Sequence, residues 1–165
     1  MNVYIHFVWC TKNRYPFLDS LELRLKVWNH IREDAKKKGI YIDFISGYSD
    51  HCHCLVSLGI DQSMQKIMHL IKGESSYWIN KQGITKEHFE WQDEYFAISV
   101  SESILDRVRN YIKNQEEHHK KKTFQNEYDE LIEKYGFVKN FPPPKNDANT
   151  LFPPPKDGGN SLKNY

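Results

Sequence analysis

The spacing of apolar residues along the chain predicts four strands. Residues 2–10 are aromatic and β-branched, and their apolar positions alternate, which predicts a first strand buried on at least one face. The alternating residues are Val3, Ile5, Phe7 and Trp9. Residues 40–48 predict a second strand, a tight turn at Ser49-Asp50 leads into a third over residues 51–58, and residues 94–100 predict a fourth.

Helical spacing predicts two helices between these strands. Asp19 with Glu22 three residues later is a capping signature, and the helix that follows ends at Gly39. Asp61 is the predicted cap of a second helix, which ends near Gly83. Each helix therefore connects two strands of the predicted sheet.

Two further helices and a tail follow the fourth strand. Ser101 or Ser103 is the predicted cap of a third helix, and a fourth runs from residue 123 to about 135. The stripe of the third helix comprises Ile104, Val108, Tyr111 and Gln115. Phe-Pro-Pro-Pro-Lys occurs at 141–145 and again at 152–156, which predicts an extended tail over 139–165.

The order β-α-β-β-α-β predicts an α+β fold, a ferredoxin-like antiparallel four-stranded sheet with additional C-terminal helices. We assign residues 1–138 to one domain and 139–165 to the Pro-rich tail. Fold alone does not give function.

Composition narrows the function classes. The net charge is +1 over 165 residues, so nucleic-acid binding must rest on local patches. The three cysteines form no C-x-x-C pair and are odd in number, which argues against a secreted disulfide framework. No signal peptide or membrane-spanning run is visible, so we expect a cytoplasmic protein with no membrane partner.

Two histidines lie on one face of the third predicted strand. His51 and His53 are two residues apart, so on an extended strand both imidazoles point the same way. Cys52 and Cys54 fall on the opposite face with the core, which argues against a mixed Cys/His zinc site. The pair follows an acidic turn at the start of a strand, where a site can open to solvent. An isolated H-x-H pair is also common at surfaces, so the alternative is a structural role.

Tyr111 and Gln115 are four residues apart, which stacks them on one face of a helix. Gln115 takes an apolar position of the stripe, and an unpaired buried amide costs about 1–3 kcal/mol. A metal on the facing strand would be a suitable partner. Two imidazoles and an amide oxygen leave positions for phosphate oxygens, which suits Mg²⁺ or Mn²⁺ acting on a phosphodiester. Tyr111 would then be the nucleophile.

These residues resemble a known family. Asp50-His51-Cys52-His53 is similar to the HUH motif, and Tyr111-Ile-Lys-Asn-Gln115 to the Y-x-x-x-Q helix, of single-tyrosine transposases from minimal bacterial insertion sequences. Further matches are residues 7–14, 71–76, 91–92 and 99–101, and the resemblance covers roughly residues 3–137. Ser49 stands where proline is frequent, and Glu94 and Phe96 stand where glycines are frequent.

The resemblance implies a mechanism and partners. His51, His53 and Gln115 would hold the metal, and Tyr111 would attack the phosphate to leave a 5′-phosphotyrosine and a free 3′-OH. The substrate would be single-stranded DNA with hairpins near the element's ends. The resemblance also implies a homodimer in which the tyrosine helix of one subunit completes the histidine site of the other.

The sequence also contains candidate residues for contacts with DNA. Lys12, Arg14 and Lys72 are candidates for phosphate contacts, and Tyr15 or Trp91 for base stacking. The basic cluster at 118–122 is either a DNA contact or a solvated linker. The alternatives are a non-catalytic nucleic-acid-binding module and an HUH replication initiator or relaxase.

Overall fold

A computed structural model describes residues 3–121 together with Asn126, Glu130 and Glu133. Within these residues the strands are β1 (Val3–Cys10), β2 (Tyr41–Gly47), β3 (His51–Leu58) and β4 (Phe96–Val100). The helices are α1 (Leu21–Lys37), α2 (Met64–Lys81), α3 (Leu105–Lys113) and α4 (Gln115–His119). Short 3₁₀ turns at Lys12–Arg14 and Glu102–Ile104 precede α1 and α3. None of the helices in the described residues could cross a membrane.

The four strands form one antiparallel sheet in the order β2-β3-β1-β4. The two central strands, β1 and β3, pair along their whole length, with Val8 opposite His53 and Cys10 opposite His51. The β2–β3 pair carries one irregularity, between Ile42 and Phe44. The predicted α+β, ferredoxin-like sheet is therefore confirmed.

Helices cover both faces of the sheet. Phe7 and Trp9 of β1 pack with α1 and α2 in one cluster, which also contains Cys52 and Cys54 as the parity of β3 predicts. Val8 and its neighbours on the other face pack against α3 in a second cluster. β1 is therefore buried on both faces from Ile5 onwards. The histidines of β3 lie on the α3 face.

Serines rather than aspartates cap the first two helices. Ser20 Oγ accepts a hydrogen bond from the Leu23 amide at 3.2 Å, and Ser63 Oγ accepts one from Lys66 at 3.2 Å. The predicted caps, Asp19 and Asp61, were wrong by one and two residues, because the cap is the extended residue directly before the first helical one, which is Ser20 for α1 and Ser63 for α2. Gly39 and Gly83 have φ of +72° and +59°, which confirms both predicted helix ends.

The third predicted helix is interrupted. α3 ends at Lys113, Asn114 has φ −94° and ψ 17°, and α4 begins at Gln115. The Asn114 carbonyl accepts hydrogen bonds from two amides, those of residues 117 and 118. Tyr111 and Gln115 therefore lie on separate helices, and the prediction of one continuous helix was wrong.

The serines ahead of α3 do not cap it. Ser101 and Ser103 share a hydrogen bond between their hydroxyls at 2.8 Å, and α3 has no side-chain cap, because the 3₁₀ turn precedes it directly. The fourth predicted helix (123–135) and the tail (139–165) lie outside the described residues, except that Asn126, Glu130 and Glu133 are helical.

Candidate active site on the sheet

His51 and His53 lie side by side on the face of β3 that α3 covers. Their ring centroids are 5.2 Å apart with planes at 82°. The two side chains are 0% and 1% exposed, so the expectation of a solvent-open site is wrong for this structure. The site is closed because α3 and α4 cover the end of the strand as a second layer.

Asp50 orients His51. Its Oδ1 lies 2.7 Å from His51 Nδ1, and its Oδ2 accepts hydrogen bonds from the Arg14 Nε and Nη2 atoms at 3.2 and 3.1 Å. Burial opposes ionisation, but the hydrogen bond with His51 and the charge of Arg14 outweigh it and hold the pKa of Asp50 below its usual value. An ionised Asp50 favours the tautomer that carries its proton on His51 Nδ1, and in that tautomer Nε2 would be the nitrogen that binds a metal.

Arg14, predicted to contact DNA phosphate, is engaged with this carboxylate. Its side chain is 11% exposed, and its backbone φ is +54°, a conformation that residues other than glycine rarely adopt. The structure therefore connects Arg14 to His51 through Asp50, while a phosphate contact stays a prediction.

His6 of β1 belongs to the same cluster, and the sequence reasoning missed it. Its Nε2 lies 3.1 Å from His53 Nδ1, and its side chain is fully buried. The signal was present, because His6 occupies an even position of β1, on the face opposite Phe7 and Trp9.

The phenol ring of Tyr111 lies next to His53 and His6. Its ring centroid lies 5.6 Å from that of His53 and 6.4 Å from that of His6, and the side chain is 8% exposed. The ring of His118 also contacts that of Tyr111, with centroids 5.4 Å apart. All of these contacts lie within one chain. Completion of the site by the tyrosine of a second subunit stays a prediction.

Gln115 is fully buried at the start of α4. Its Nε2 donates to the Tyr111 carbonyl at 3.4 Å, whereas its Oε1 is buried and accepts no hydrogen bond from the described part of the chain. α4 also carries His119, whose ring centroid is 4.6 Å from that of His51. In the sequence, Gln115 therefore lies between Tyr111, which contacts His53, and His119, which contacts His51.

The residues fit a divalent ion held by mixed nitrogen and oxygen ligands. In the described residues no group of three or more His, Cys, Asp or Glu side chains could hold a metal, so a metal bound here would also need the amide oxygen of Gln115. The hydrogen bonds of His51 and His53 described above engage Nδ1 in both rings, so Nε2 would be the ligand nitrogen in each. The buried Oε1 of Gln115 would supply the oxygen.

The side chains of Lys12 and Lys72 both approach Asp93, beside a cavity. Lys72 Nζ donates to the Asp93 carbonyl at 2.7 Å, and Lys12 Nζ lies 3.9 Å from the Asp93 carboxylate. Burial lowers the pKa of the Lys72 ammonium. The cavity, of about 400 Å³, is lined by Lys72, Trp91 and Tyr95 among others. Lys12 and Lys72 thus both lie next to Asp93, and Lys72 lies beside the rings of Trp91 and Tyr95.

The three cysteines are free thiols; Cys52 and Cys54 lie on the face of the sheet opposite the histidines, whereas Cys10 pairs with His51 in register and packs in the same cluster as Tyr111. All are buried, and burial raises the pKa of Cys10, Cys52 and Cys54. They remain protonated at neutral pH and serve as apolar packing residues on β1 and β3.

Comparison with known proteins places this chain in a family. The family model described as "Transposase IS200 like" matches residues 1–115, a range that contains all four predicted chemical residues. The chain belongs to the IS200-like transposases. This confirms the resemblance to single-tyrosine transposases of minimal insertion sequences.

Individual relatives agree with that family. The chain is 25% identical over 116 residues to the ISDra2 transposase TnpA of Deinococcus radiodurans, covering 67% of this chain and 81% of that protein. A crystal structure of a candidate transposase from D. radiodurans R1 matches with TM-score 0.56 and 22% identity, covering 70% of this chain and 92% of that one. A REP-associated tyrosine transposase bound to a REP hairpin matches with TM-score 0.54 and 18% identity, covering 70% and 67%. The two structures show that this IS200-like chain shares their fold.

Proposed function

We propose that this IS200-like transposase cleaves and rejoins single-stranded DNA at the ends of an insertion sequence, with Tyr111 as the nucleophile. The observation that carries the proposal is the contact between the Tyr111 ring and His53, at 5.6 Å between centroids, beside His51 and the buried amide of Gln115. A phenol beside two imidazoles and an amide oxygen is a set of groups suited to attack on a metal-bound phosphodiester.

We assign His51 Nε2, His53 Nε2 and Gln115 Oε1 as the ligands of Mg²⁺ or Mn²⁺. When bound, the ion would act as a Lewis acid on the scissile phosphate. The chain's own residues prepare the ligands, because Asp50 and His6 each engage the Nδ1 atom of one imidazole. Such second contacts fix the orientation of the ring and its tautomer.

In the proposed reaction the Tyr111 hydroxyl oxygen forms a bond to phosphorus as the bond between phosphorus and the 3′ oxygen breaks. The products are a 5′-phosphotyrosine on Tyr111 and a free 3′-OH. The covalent bond conserves the energy of the phosphodiester, so attack by a 3′-OH reverses the step and joins two strands. Because Tyr111 and both histidines are buried, the rings over the site must shift before a phosphate can bind.

The proposed substrate is single-stranded DNA with hairpins near the element's ends. Lys12 and Lys72 would contact phosphates. The rings of Trp91 and Tyr95, which line the cavity beside Lys72, would stack on an unstacked base of the DNA. A hairpin-bound structural neighbour supports this substrate class. We further propose a homodimer, in which the tyrosine helix either remains with its own histidines, as in this chain, or exchanges with the partner's.

The test is an adduct assay. The protein is incubated with a labelled single-stranded hairpin and Mn²⁺ or Mg²⁺, and the products are separated on a denaturing gel. Wild type is expected to give a protein–DNA adduct that Tyr111→Phe lacks and that a chelator prevents. Tyr77→Phe, an exposed tyrosine on α2, is the matched control and should keep the adduct. DNA binding without an adduct under every metal condition would instead favour a non-catalytic binding module.

A further inference from the structure

α4 needs an external anchor to hold Gln115 in place. It has five residues, far below the length at which a helix is stable by itself. It is also separated from α3 by the non-helical Asn114, so the position of Tyr111 does not rigidly determine that of Gln115. Contacts with the rest of the fold must therefore set where the Gln115 amide points.

The anchor is a buried arginine on α1. Arg24 is 5% exposed, and it donates from Nε to Glu116 Oε1 at 2.6 Å and from Nη2 to Glu116 Oε2 at 2.9 Å. Its Nη1 donates to the Leu18 carbonyl at 2.7 Å. All three nitrogens are thus engaged, and the fork on Glu116 fixes both distance and orientation.

This pair connects directly to the candidate site. Glu116 is the residue after Gln115, and the guanidinium of Arg24 also lies 4.7 Å from the centroid of the Tyr48 ring. Tyr48 stacks on His119, with centroids 4.7 Å apart and planes at 16°. His119 in turn contacts His51. α1, on one face of the sheet, therefore holds α4, on the other, around the turn that leads into His51.

We infer that Arg24 is a positioning residue for metal binding, and that its pair with Glu116 holds the Gln115 oxygen at the two imidazoles. The inference rests on the proposed function, because it assumes that Gln115 is a ligand. A buried arginine destabilises the fold unless its charge is paired. Burial of Arg24 at this place therefore requires the Glu116 carboxylate on α4. Neutralising Glu116 releases α4 while leaving the histidines and Gln115 unchanged in sequence.

The experiment is a calorimetric titration of the full chain with Mn²⁺ in the absence of DNA, below the melting temperature of every variant. Glu116→Gln and Arg24→Lys are each expected to bind Mn²⁺ about ten-fold more weakly than wild type, the usual cost of losing a supporting contact. Gln115→Ala is the reference for loss of the ligand itself. Glu74→Gln is the matched control, because Glu74 also pairs with an α1 side chain, His30 at 2.9 Å, but on α2.

The outcomes separate the inference from the function on which it rests. If Gln115→Ala weakens Mn²⁺ binding but Glu116→Gln and Arg24→Lys bind as wild type does, the positioning role is refuted and the metal site stands. If Glu74→Gln weakens binding as much as Glu116→Gln, the effect is general stability and the inference also fails. If wild type binds no Mn²⁺, or Gln115→Ala binds it equally well, the proposed metal site is refuted together with the inference.

Discussion

Gly47 is the position where a single methyl group should disturb both the fold and the site. It ends β2, opposite Cys52 and next to the turn that leads into His51. A Cβ at this position would lie 2.2 Å from the His51 carbonyl oxygen, 2.9 Å from Cys52 Cα and 3.0 Å from a ring carbon of Trp28. Two of these atoms are backbone, so no side-chain rotation relieves the clash.

The cost of Gly47→Ala follows from these contacts. Overpacking a closed site costs about 1–3 kcal/mol. The His51 carbonyl also accepts a hydrogen bond from the Tyr48 amide at 3.0 Å, and moving it away loses about 1 kcal/mol more. We therefore expect Gly47→Ala to lower the free energy of unfolding by about 2–4 kcal/mol, a large part of the roughly 5–15 kcal/mol typical of a domain. Because the displaced atom belongs to His51, Mn²⁺ binding should weaken as well.

The assay is urea denaturation followed by circular dichroism, with Gly73→Ala as the control. Gly73 lies inside α2 with nothing within 4 Å of an added Cβ, so alanine there should stabilise the protein by about 0.5–1 kcal/mol. The two substitutions add the same methyl group with opposite expected signs. Equal unfolding midpoints for Gly47→Ala and wild type would refute the described packing of the β2–β3 turn.

Three further predictions follow from the site. His6→Phe should weaken Mn²⁺ binding about ten-fold in calorimetry, because His53 loses its partner at Nδ1; unchanged affinity would remove His6 from the site. A mixture of Tyr111→Phe and His53→Ala subunits should give no DNA adduct if the tyrosine helix remains with its own histidines, as in this chain, and an adduct if the helix exchanges between the subunits of the proposed homodimer. The buried thiols should react with a thiol reagent only after unfolding, and rapid reaction in the native state would contradict their burial.

The sheet and the two histidines could be predicted because they depend on local periodicity. Alternation with period two places His51 and His53 on one face whatever covers them, and the same parity placed Cys52 in the core. Gly39 could be predicted as a helix end, because a residue with positive φ is needed where the helix terminates. Each of these signals is contained in a few consecutive residues.

The parts that could not be predicted depend on contacts between distant segments. The interruption at Asn114 breaks a pattern that reads as one helix, and the Arg24–Glu116 pair joins residues 92 positions apart. Arg14 was interpreted as a DNA contact because a basic loop residue usually faces solvent, and only the fold brings Asp50 to it. Pairings of this kind leave no periodic signal in the sequence.

The central claim is that Tyr111 attacks DNA beside His51 and His53, and peptide mapping of the covalent product tests it most directly. The adduct formed with a single-stranded hairpin is digested with nuclease and protease, and the peptides are sequenced by mass spectrometry. A nucleotide joined through its 5′-phosphate to the peptide containing Tyr111 is the predicted result. A nucleotide on any other residue, or no modified peptide from DNA that has been cut, would contradict the claim.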